Sequence, residues 1–358
     1  MTQSFQHFES CLRGGGRLQR DDISWLWQNA TDEELQVLAN IVRRRFHEPG
    51  VATYVLMRII NYTNICVAKC DYCSFFRMPG SPEGYVRSEE WIFEKIDELV
   101  AAGGDFFGLN GGFNPALKIG YYVDLFSSIR RRYGDSIEFY AMTVVELIYV
   151  AKLSNLSVRQ TVDLLRDAGV RWITGGGAEV LADSFRQRHN PLKYTVAEYY
   201  DSLRDILDGG LKSTATMVVG FDETLEERLE HLEELRNFQD ETKNSLFSFL
   251  CWTYKPENNQ LGGKEISPSE YLRHLALCRI YLDNFKHIRT SVLTQNANAL
   301  RGLQYGADDF DIPWEDEVTQ MAGAIVDRDV NRVLGYAHES GFGTVCRPVA
   351  FQATAVRK

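Results

Sequence analysis

The chain has 358 residues and a formal net charge of -10, with 44% hydrophobic and 25% charged residues. This composition is typical of a globular protein with one large domain or two ordinary ones. The acidic balance argues against general nucleic-acid binding, which requires a basic patch or stripe. No apolar run reaches the length of a membrane span, and the first residues hold no apolar signal-peptide core. We therefore expect a cytoplasmic protein that binds neither nucleic acid nor a membrane.

Residues 1–48 are predicted to form helices, and Thr31-Asp-Glu-Glu34 is a capping box before apolar residues at helical spacing. From Val51 onward, predicted strands and helices alternate. The predicted strands are 51–60, 105–109, 137–142, 171–174, 213–219, 246–252 and 288–293. The predicted helices are 121–132, 144–152, 157–166, 224–238, 298–305 and 328–339, with further helices opening at Thr195 and Ser267, and a last apolar run at 344–351.

This alternation predicts βαβ units and a parallel sheet. About eight such units favour an α/β fold of the (β/α) TIM-type barrel, whole or nearly whole. We divide the chain into an N-terminal helical segment (1–48), a barrel core (49–260) and C-terminal βα units (261–358) that complete the barrel and the substrate site. The glycine-bearing loop at 260–266 marks the boundary; a long active-site loop is the alternative interpretation of this segment.

Three cysteines follow the first predicted strand in the pattern C-x3-C-x2-C: Cys66, Cys70 and Cys73, with Tyr72 directly before the third. Three thiolates on one loop can hold three irons of a four-iron cluster and leave the fourth iron with an open coordination position. A zinc site would need a fourth Cys or His at a short, regular distance. A thioredoxin-like pair of Cys70 and Cys73 would leave Cys66 surplus. The remaining cysteines are scattered and predicted to be small buried hydrophobes: Cys11, Cys251, Cys278 and Cys346.

Other unusual motifs also follow predicted strands. They are 110–114 (Asn-Gly-Gly-Phe-Asn), 175–179 (Gly-Gly-Gly-Ala-Glu), 252–258 (Trp-Thr-Tyr-Lys-Pro-Glu-Asn) and 295–296 (Gln-Asn). Because active sites of such barrels lie at the C-terminal ends of the strands, we expect these motifs on the same rim as the cysteines.

Each motif has a functional and a structural interpretation. The pair Gly111-Gly112 lets a ligand approach the backbone, or forms a plain turn. Glu179 can accept hydrogen bonds from ribose hydroxyls, or is a glutamate favoured at a helix N-terminus. Arg186 can bind a carboxylate bidentately, or is a surface arginine.

The motif at 252–258 combines rings with hydrogen-bonding groups. Trp252, Tyr254, Glu257 and Asn258 suit a flat, polar substrate, although Trp252 also fits the edge of an aromatic core. The pair Asp308-Asp309 indicates either acid–base groups or, more often, a turn and helix cap. No histidine stands at a recognisable catalytic spacing.

The cysteine pattern with its preceding tyrosine resembles the signature of radical S-adenosylmethionine (SAM) enzymes. The resemblance implies a [4Fe-4S] cluster on Cys66, Cys70 and Cys73, whose open iron is chelated by the amino and carboxylate groups of SAM. Reductive cleavage of SAM then supplies a 5′-deoxyadenosyl radical, which abstracts a hydrogen atom from the substrate. Transferred to this chain, the SAM contacts are Gly111-Gly112 for the methionine amino group, Glu179 for the ribose, Arg186 for the carboxylate and Tyr72 for the adenine side.

Further segments resemble the radical SAM clade that works in futalosine-dependent menaquinone synthesis and in deazaflavin synthesis; they include 60–66, 73–77, 83–86, 175–179, 215–217, 223–228 and 239–242. Within the clade, the segments 252–257, 270–273, 281–284 and 306–310 are most similar to the cyclic dehypoxanthinyl futalosine synthase family. This resemblance implies radical cyclisation of a nucleoside-derived substrate, and an electron donor such as flavodoxin or ferredoxin. We expect substrate contacts from Trp252, Tyr254, Glu257, Asn258 and Gln295.

Some positions depart from that family. The segment 142–145 (Met-Thr-Val-Val) is closer to the sister aminofutalosine synthases, Asn296 stands where glycine is usual, and Asp308 replaces an asparagine-type residue. A sister enzyme of the clade, either aminofutalosine synthase or a deazaflavin synthase subunit, is therefore the first alternative. A structural metal-binding protein is the non-enzyme alternative, and it predicts a filled fourth ligand position and no SAM cleavage.

Overall fold

The computed structural model describes residues 4–347, and the core of this part of the chain is a parallel β-sheet. Its strands are β1 (Val51–Asn61), β2 (Phe106–Asn110), β3 (Glu138–Thr143), β4 (Trp172–Thr174), β5 (Lys212–Val219), β6 (Leu246–Thr253), β7 (His287–Ser291), β8 (Asp309–Glu315) and β9 (Gly343–Cys346). Of the predicted apolar run 344–351, residues 348–351 lie outside the described residues, as do the last residues of the predicted C-terminal units.

Strands β1 to β8 pair in chain order, and β1 pairs with both β8 and β2, so the sheet closes into an eight-stranded barrel. The seam lies on β1: residues 57–61 pair with β2, and residues 53–58 pair with β8. Strand β9 adds in parallel to residues 51–54, at the start of β1. The predicted barrel is thus confirmed, and it is whole.

The helices are α1 (Phe5–Arg13), α2 (Arg20–Asn29), α3 (Asp32–Arg43), α4 (Glu89–Ala101), α5 (Ile119–Tyr133), α6 (Val144–Leu153), α7 (Val158–Asp167), α8 (Asp183–His189), α9 (Val196–Asp208), α10 (Leu225–Glu241), α11 (Pro268–Tyr281), α12 (Val292–Gln295), α13 (Ala297–Arg301), α14 (Glu317–Met321) and α15 (Val330–Glu339), with a 3-10 turn at Gly302–Tyr305. None of them is long and apolar enough to cross a bilayer. The predicted caps are confirmed, because Thr31, Ser157, Thr195, Thr224 and Ser267 each accept a hydrogen bond from the third residue of their helix.

The N-terminal helices pack on the C-terminal half of the barrel. Phe8, Leu26 and Leu38 are fully buried in the same apolar core that surrounds the strands. Ion pairs fix this packing, since Arg17 contacts Asp283 beside α11, with nitrogen–oxygen distances of 2.9 and 3.0 Å. The helical segment therefore shares one core with the barrel.

Strand β8 and helices α4, α8, α12 and α14 were not predicted, and α12 begins within the predicted strand 288–293. Strand β8 reads Asp-Phe-Asp-Ile-Pro-Trp-Glu, and charged residues and proline are depleted in strands. It forms because buried arginines compensate its carboxylates: Arg289 of β7 pairs with both Asp309 and Asp311.

The interpretations of Asp308-Asp309 as acid–base groups or as a turn and helix cap are both wrong. Both lie at the N-terminal end of β8, opposite the rim, and are almost fully buried. Asp308 accepts hydrogen bonds from the Ile288 amide (2.8 Å) and His287 Nδ1 (2.7 Å) and pairs with Arg279. Burial alone would raise the pKa of Asp308, but the hydrogen bond from His287 and the charge of Arg279 hold it at about 2. The pair stabilises the base of the barrel.

An apolar cluster closes that base. Val55, Phe106, Tyr140 and Trp172 project inward near the N-terminal ends of β1 to β4 and are all buried. The three aromatic rings meet edge to face, with the ring centre of Tyr140 4.8 Å from that of Phe106 and 6.0 Å from that of Trp172. Because the base is filled, the open space inside the barrel lies toward the C-terminal ends of the strands.

Candidate active site

A cavity of about 350 Å³ opens at the C-terminal ends of the strands. Residues from all eight barrel strands line it, together with Cys66, Cys70 and Cys73. The sequence motifs expected on one rim do converge there, since Gly111, Gly112, Glu179, Trp252 and Tyr254 line the same space, as does Tyr72.

The cysteine loop connects β1 to α4 and is held from several sides. The Cys66 amide donates to the Arg77 carbonyl (2.9 Å), and the Val67 amide donates to the Phe113 carbonyl on the loop after β2 (3.1 Å). The amides of Gln260 and Leu261 donate to the Asp71 carbonyl, at 2.8 and 2.9 Å. The predicted boundary loop at 260–266 is therefore in direct contact with the cysteine loop.

The three thiols do not form a compact site for a single zinc ion. Three ligands of one tetrahedral zinc would lie roughly 4 Å apart. Between residues 4 and 347, the trio of His, Cys, Asp or Glu ligand atoms that gathers within 4.8 Å is His47, His287 and Asp308, at the base of the barrel. Cys66, Cys70 and Cys73 line one cavity but do not form such a trio among the described residues.

The thiols are also poised to exchange a proton for a metal. Burial raises the pKa of Cys70 to about 12 and also raises the pKa of Cys73, so both are neutral thiols without iron. A metal ligand must be a thiolate, and iron binding therefore releases these protons. The donor set and its enclosure match the expected three-cysteine cluster site.

The glycine pair packs directly on the cysteine loop. A Cβ atom on Gly112 would lie 2.6 Å from the Cβ of Cys66, and one on Gly111 would lie 2.5 Å from the ring of Tyr62. The Gly111 amide already donates to the Glu146 carboxylate at 2.7 Å. The two glycines thus let the loop after β2 approach the cysteine loop, and they also line the cavity.

Replacing Gly112 with alanine is expected to displace the cysteine loop, because real Cβ atoms essentially never approach within 3.0 Å. We expect iron content after reconstitution to fall and SAM cleavage to slow by about 10- to 100-fold, the usual cost of losing support behind metal ligands. Iron analysis and a 5′-deoxyadenosine assay measure both. Gly120→Ala is the control, since a Cβ there meets nothing within 4 Å. Wild-type iron content and rate in Gly112→Ala would contradict the prediction.

Glu179 lies in the turn between β4 and α8, not at a helix start. Its φ is +45°, a left-handed conformation that non-glycine residues rarely adopt, and α8 begins only at Asp183. The helix-terminus interpretation is therefore wrong. The carboxylate lies 2.9 and 3.0 Å from Nζ of Lys193, which also donates to the Tyr72 hydroxyl at 3.1 Å.

Arg186 is not brought to the cavity. It is buried, its Nε donates to the Tyr194 carbonyl (2.6 Å), and a terminal nitrogen donates to the Ala178 carbonyl (3.2 Å). Its other terminal nitrogen has no partner among the described residues. Arg186 thus supports the turn that carries Glu179 from behind.

The expected substrate residues divide into two groups. The side chains of Trp252 and Tyr254 line the cavity. The others lie outside its lining: the Glu257 carbonyl accepts from Ser74 Oγ at 2.6 Å, Asn258 Nδ2 donates to the Met321 carbonyl at 2.8 Å, and Gln295 Nε2 donates to Thr253 Oγ1 at 3.0 Å. These three residues hold the rim loops together.

Sequence reasoning missed several ionisable groups in the cavity wall: Glu146, Lys193, Asp311 and Asp316. Glu146 is buried, which raises its pKa, and it accepts from Tyr62, Gly111 and Thr143. Burial also raises the pKa of Asp316 to about 6. Two of them had a local signal: Thr143-Val-Val-Glu146 is a capping box, and Asp316 is the N-cap of α14.

The interior is lined with hydroxyl groups. Thr174 Oγ1 accepts from the Gly176 amide and Thr214 Oγ1 from the Gly175 amide, both at 3.2 Å, which leaves each hydroxyl hydrogen to donate to a ligand. Tyr140 and Trp252 add aromatic surface to the same wall. Hydroxyl donors beside rings suit a ligand that combines a sugar with an aromatic group.

Comparison with known proteins agrees with this geometry. Residues 60–235 match the radical SAM superfamily, and residues 243–358 match the CofH/MqnC C-terminal region. The chain is 35% identical to the cyclic dehypoxanthine futalosine synthase of Halalkalibacterium halodurans, over 91% of this chain and 89% of that protein. It is 31% identical to the aminodeoxyfutalosine synthase of Thermus thermophilus, over 89% and 88% of the two chains.

Among solved structures, methylornithine synthase superposes with a TM-score of 0.71 at 16% sequence identity, covering 94% of this chain and 97% of that chain. At this identity the likeness supports the barrel fold alone. The family rests instead on the full-length relatives and on the two matched regions. The chain therefore belongs to the radical SAM superfamily, within the family that carries a CofH/MqnC C-terminal region.

Proposed function

We propose that this enzyme converts dehypoxanthine futalosine to cyclic dehypoxanthine futalosine in menaquinone biosynthesis. The observation that carries the proposal is the 35% identity, along nine-tenths of the chain, to a relative named for that activity. The cavity supports it, because one enclosed space joins the cysteine loop to a hydroxyl- and ring-lined barrel interior.

Radical SAM enzymes use a [4Fe-4S] cluster and SAM, which together supply a carbon-centred radical that removes a hydrogen atom from the substrate. In this chain Cys66, Cys70 and Cys73 would hold the cluster. We propose SAM contacts from Tyr72, Gly111-Gly112 and Glu179, all in the cavity wall. Arg186, predicted for the carboxylate, would act on SAM only through the turn that it supports.

The barrel interior would hold the substrate. Hydrogen abstraction from its ribose and addition of the sugar carbon to the benzoate ring would give a ring radical. Loss of a proton to a base and of an electron to a one-electron acceptor, either the oxidised cluster or an oxidised carrier, would then give the spirocycle. Thr174 and Thr214 have hydroxyl hydrogens to donate to the sugar, and Trp252 and Tyr254 offer rings beside the aromatic group. Glu257, Asn258 and Gln295 would shape this site by fixing its loops rather than by contact.

The proposed electron donor is a one-electron carrier such as flavodoxin or ferredoxin, and the proposed location is the cytoplasm. The cysteines support a reducing compartment, because all seven are free thiols. We also propose that the units after residue 260 contribute the distal wall of the substrate site, since β7 and β8 place Arg289, Ser291 and Asp311 in the cavity.

The test is an anaerobic assay of the reconstituted, reduced enzyme with SAM and dehypoxanthine futalosine. We expect 5′-deoxyadenosine and the spirocyclic product to form in equal amounts, with SAM consumed rather than regenerated. Deoxyadenosine without the spirocycle would refute the cyclase assignment alone. Absence of deoxyadenosine with any substrate of the family would refute SAM cleavage by this chain.

An aminodeoxyfutalosine synthase activity is the second candidate. The observation that favours it is the position of Thr143 and Val145, which belong to the segment that resembles the sister enzymes and whose side chains line the cavity. The relative from Thermus thermophilus, 31% identical, carries that name. Turnover of that relative's substrate, and none of dehypoxanthine futalosine, would select this candidate.

A further inference from the structure

Lys193 is a buried cation in the cavity wall that the reaction scheme above does not use. It lies in the loop between α8 and α9, and its side chain is only 9% exposed. Its Nζ lies 3.0 and 2.9 Å from the two carboxylate oxygens of Glu179 and 3.1 Å from the hydroxyl of Tyr72. An ammonium has three N–H donors, so each is matched by one acceptor.

These contacts join the two halves of the expected cofactor site. Tyr72 belongs to the cysteine loop, between Cys70 and Cys73, whereas Glu179 follows β4. The Tyr72 hydroxyl also accepts from Asn190 Nδ2 at 2.8 Å, which fixes it from the same loop as Lys193. Through Lys193, the position of the Glu179 carboxylate is tied to the position of the cluster ligands.

The ammonium also lies beside the cysteine loop. Its Nζ is 3.1 Å from the hydroxyl of Tyr72, the residue directly before Cys73. A cluster on three thiolates gains a further negative charge when it is reduced. A buried cation beside it therefore favours the reduced state, because charge interactions are strong where water is excluded.

The other cations of the cavity wall are engaged elsewhere. Lys255 Nζ pairs with Glu265 at 2.6 Å, on the loop after β6. Arg289 pairs with Asp309 and Asp311 near the base of the barrel. Within the described residues 4–347, Lys193 is the cavity-lining cation that donates a hydrogen bond to the cysteine loop.

We propose that Lys193 is a positioning residue of the cofactor site with two effects. It holds Glu179 so that the carboxylate can accept hydrogen bonds from the ribose of SAM, and its charge raises the reduction potential of the cluster. The proposal concerns SAM and the cluster alone. It can therefore fail or hold independently of which substrate is turned over.

The test compares Lys193→Met, which removes the charge but keeps the length, with Lys193→Arg, which keeps the charge. Iron content, SAM binding at equilibrium and an electron paramagnetic resonance redox titration are measured for each. In Lys193→Met we expect SAM affinity to fall at least about tenfold. At a fixed potential, the ratio of reduced to oxidised cluster should also fall about tenfold, a 59 mV shift for a one-electron couple. Lys193→Arg should keep the wild-type potential.

Glu179→Gln tests the direction of the change in reduction potential, which a general loss of structure would not predict. It removes a negative charge near the cluster, so its reduction potential should move upward, opposite to that of Lys193→Met. Lys152→Met is the control, because Lys152 is an exposed cation paired with Glu198 at 2.9 Å, away from the cavity lining. Its SAM affinity and potential should equal those of the wild type.

Wild-type SAM affinity and wild-type potential in Lys193→Met would overturn the proposal. If Lys193→Met holds no iron, Lys193→Arg and Glu179→Gln decide. The proposal then stands if the arginine variant keeps the wild-type potential and the glutamine variant shifts upward. The proposal is refuted if the reduction potentials of Lys193→Arg and Glu179→Gln shift in the same direction. It is also refuted if both of these variants bind SAM with the same affinity as Lys152→Met.

Discussion

Replacing Cys70 with alanine is expected to abolish the brown absorbance of the reconstituted protein and to reduce SAM cleavage by more than about a hundredfold. The structure explains the size of this effect. Cys70 is 5% exposed and lies between Cys66 and Cys73 in a loop fixed on several sides, so no other thiol can move into its place. Removing a residue that only supports a metal ligand usually reduces activity by about 10- to 100-fold. Removing the ligand itself should reduce SAM cleavage by more than that.

Iron and sulfide analysis, the visible absorbance and a 5′-deoxyadenosine assay measure the outcome. Cys251→Ala is the matched control, because Cys251 is a buried free thiol on β6 outside the cysteine loop. It should retain the cluster and its activity. An intact, SAM-cleaving cluster in Cys70→Ala would show that the ligand assignment is wrong.

The sequence predicted the barrel because its signals are local. Each capping box marks a helix start within four residues, and the short apolar runs between helices predict buried strands. The cysteine spacing is local as well, which is why the cluster site could be recognised without a fold. Strand β8 was missed because its charges are compensated by Arg289 and Arg347, which come from other parts of the chain.

The residues proposed for the SAM site show the limit of local reasoning. Lys193 lies 14 residues from Glu179 and 121 residues from Tyr72, so only the closed barrel brings the three together. Conversely, Glu257, Asn258 and Gln295 stand beside strand ends in the sequence. Their polar groups bond to neighbouring loops, because groups near a rim must satisfy hydrogen bonds locally before any ligand binds.

The positions that depart from the family motifs lie in different parts of the structure. Asn296 has φ +48° and ψ -134°. This backbone region favours glycine, which agrees with the glycine that the family resemblance leads us to expect at this position. Asp308 lies at the base of the barrel, far along β8 from the rim, so its departure does not concern the substrate. Thr143 and Val145 remain the departure that faces the cavity.

Replacing Asp309 with asparagine is expected to lower the free energy of unfolding by about 3–5 kcal/mol, the usual cost of breaking a buried charge pair. Asp309 is 1% exposed and accepts hydrogen bonds from Arg289 Nε (3.1 Å), from a terminal nitrogen of Arg347 (2.9 Å) and from the Thr53 hydroxyl. The two arginines are balanced by Asp309 and Asp311. Asparagine keeps the shape of the side chain but leaves one positive charge without compensation.

Urea unfolding of the cluster-loaded proteins without oxygen, followed by circular dichroism, measures this difference. Asp201→Asn is the control for the same substitution, because Asp201 pairs with Arg204 at 3.0 Å on the exposed surface of α9. Such a pair contributes under about 1 kcal/mol. If Asp309→Asn lowers the free energy of unfolding no more than the control does, the charges of the two arginines and two aspartates do not stabilise the closure of the barrel. A large loss would explain why a strand with three acidic residues is stable, because its carboxylates join β8 to β1 and β7.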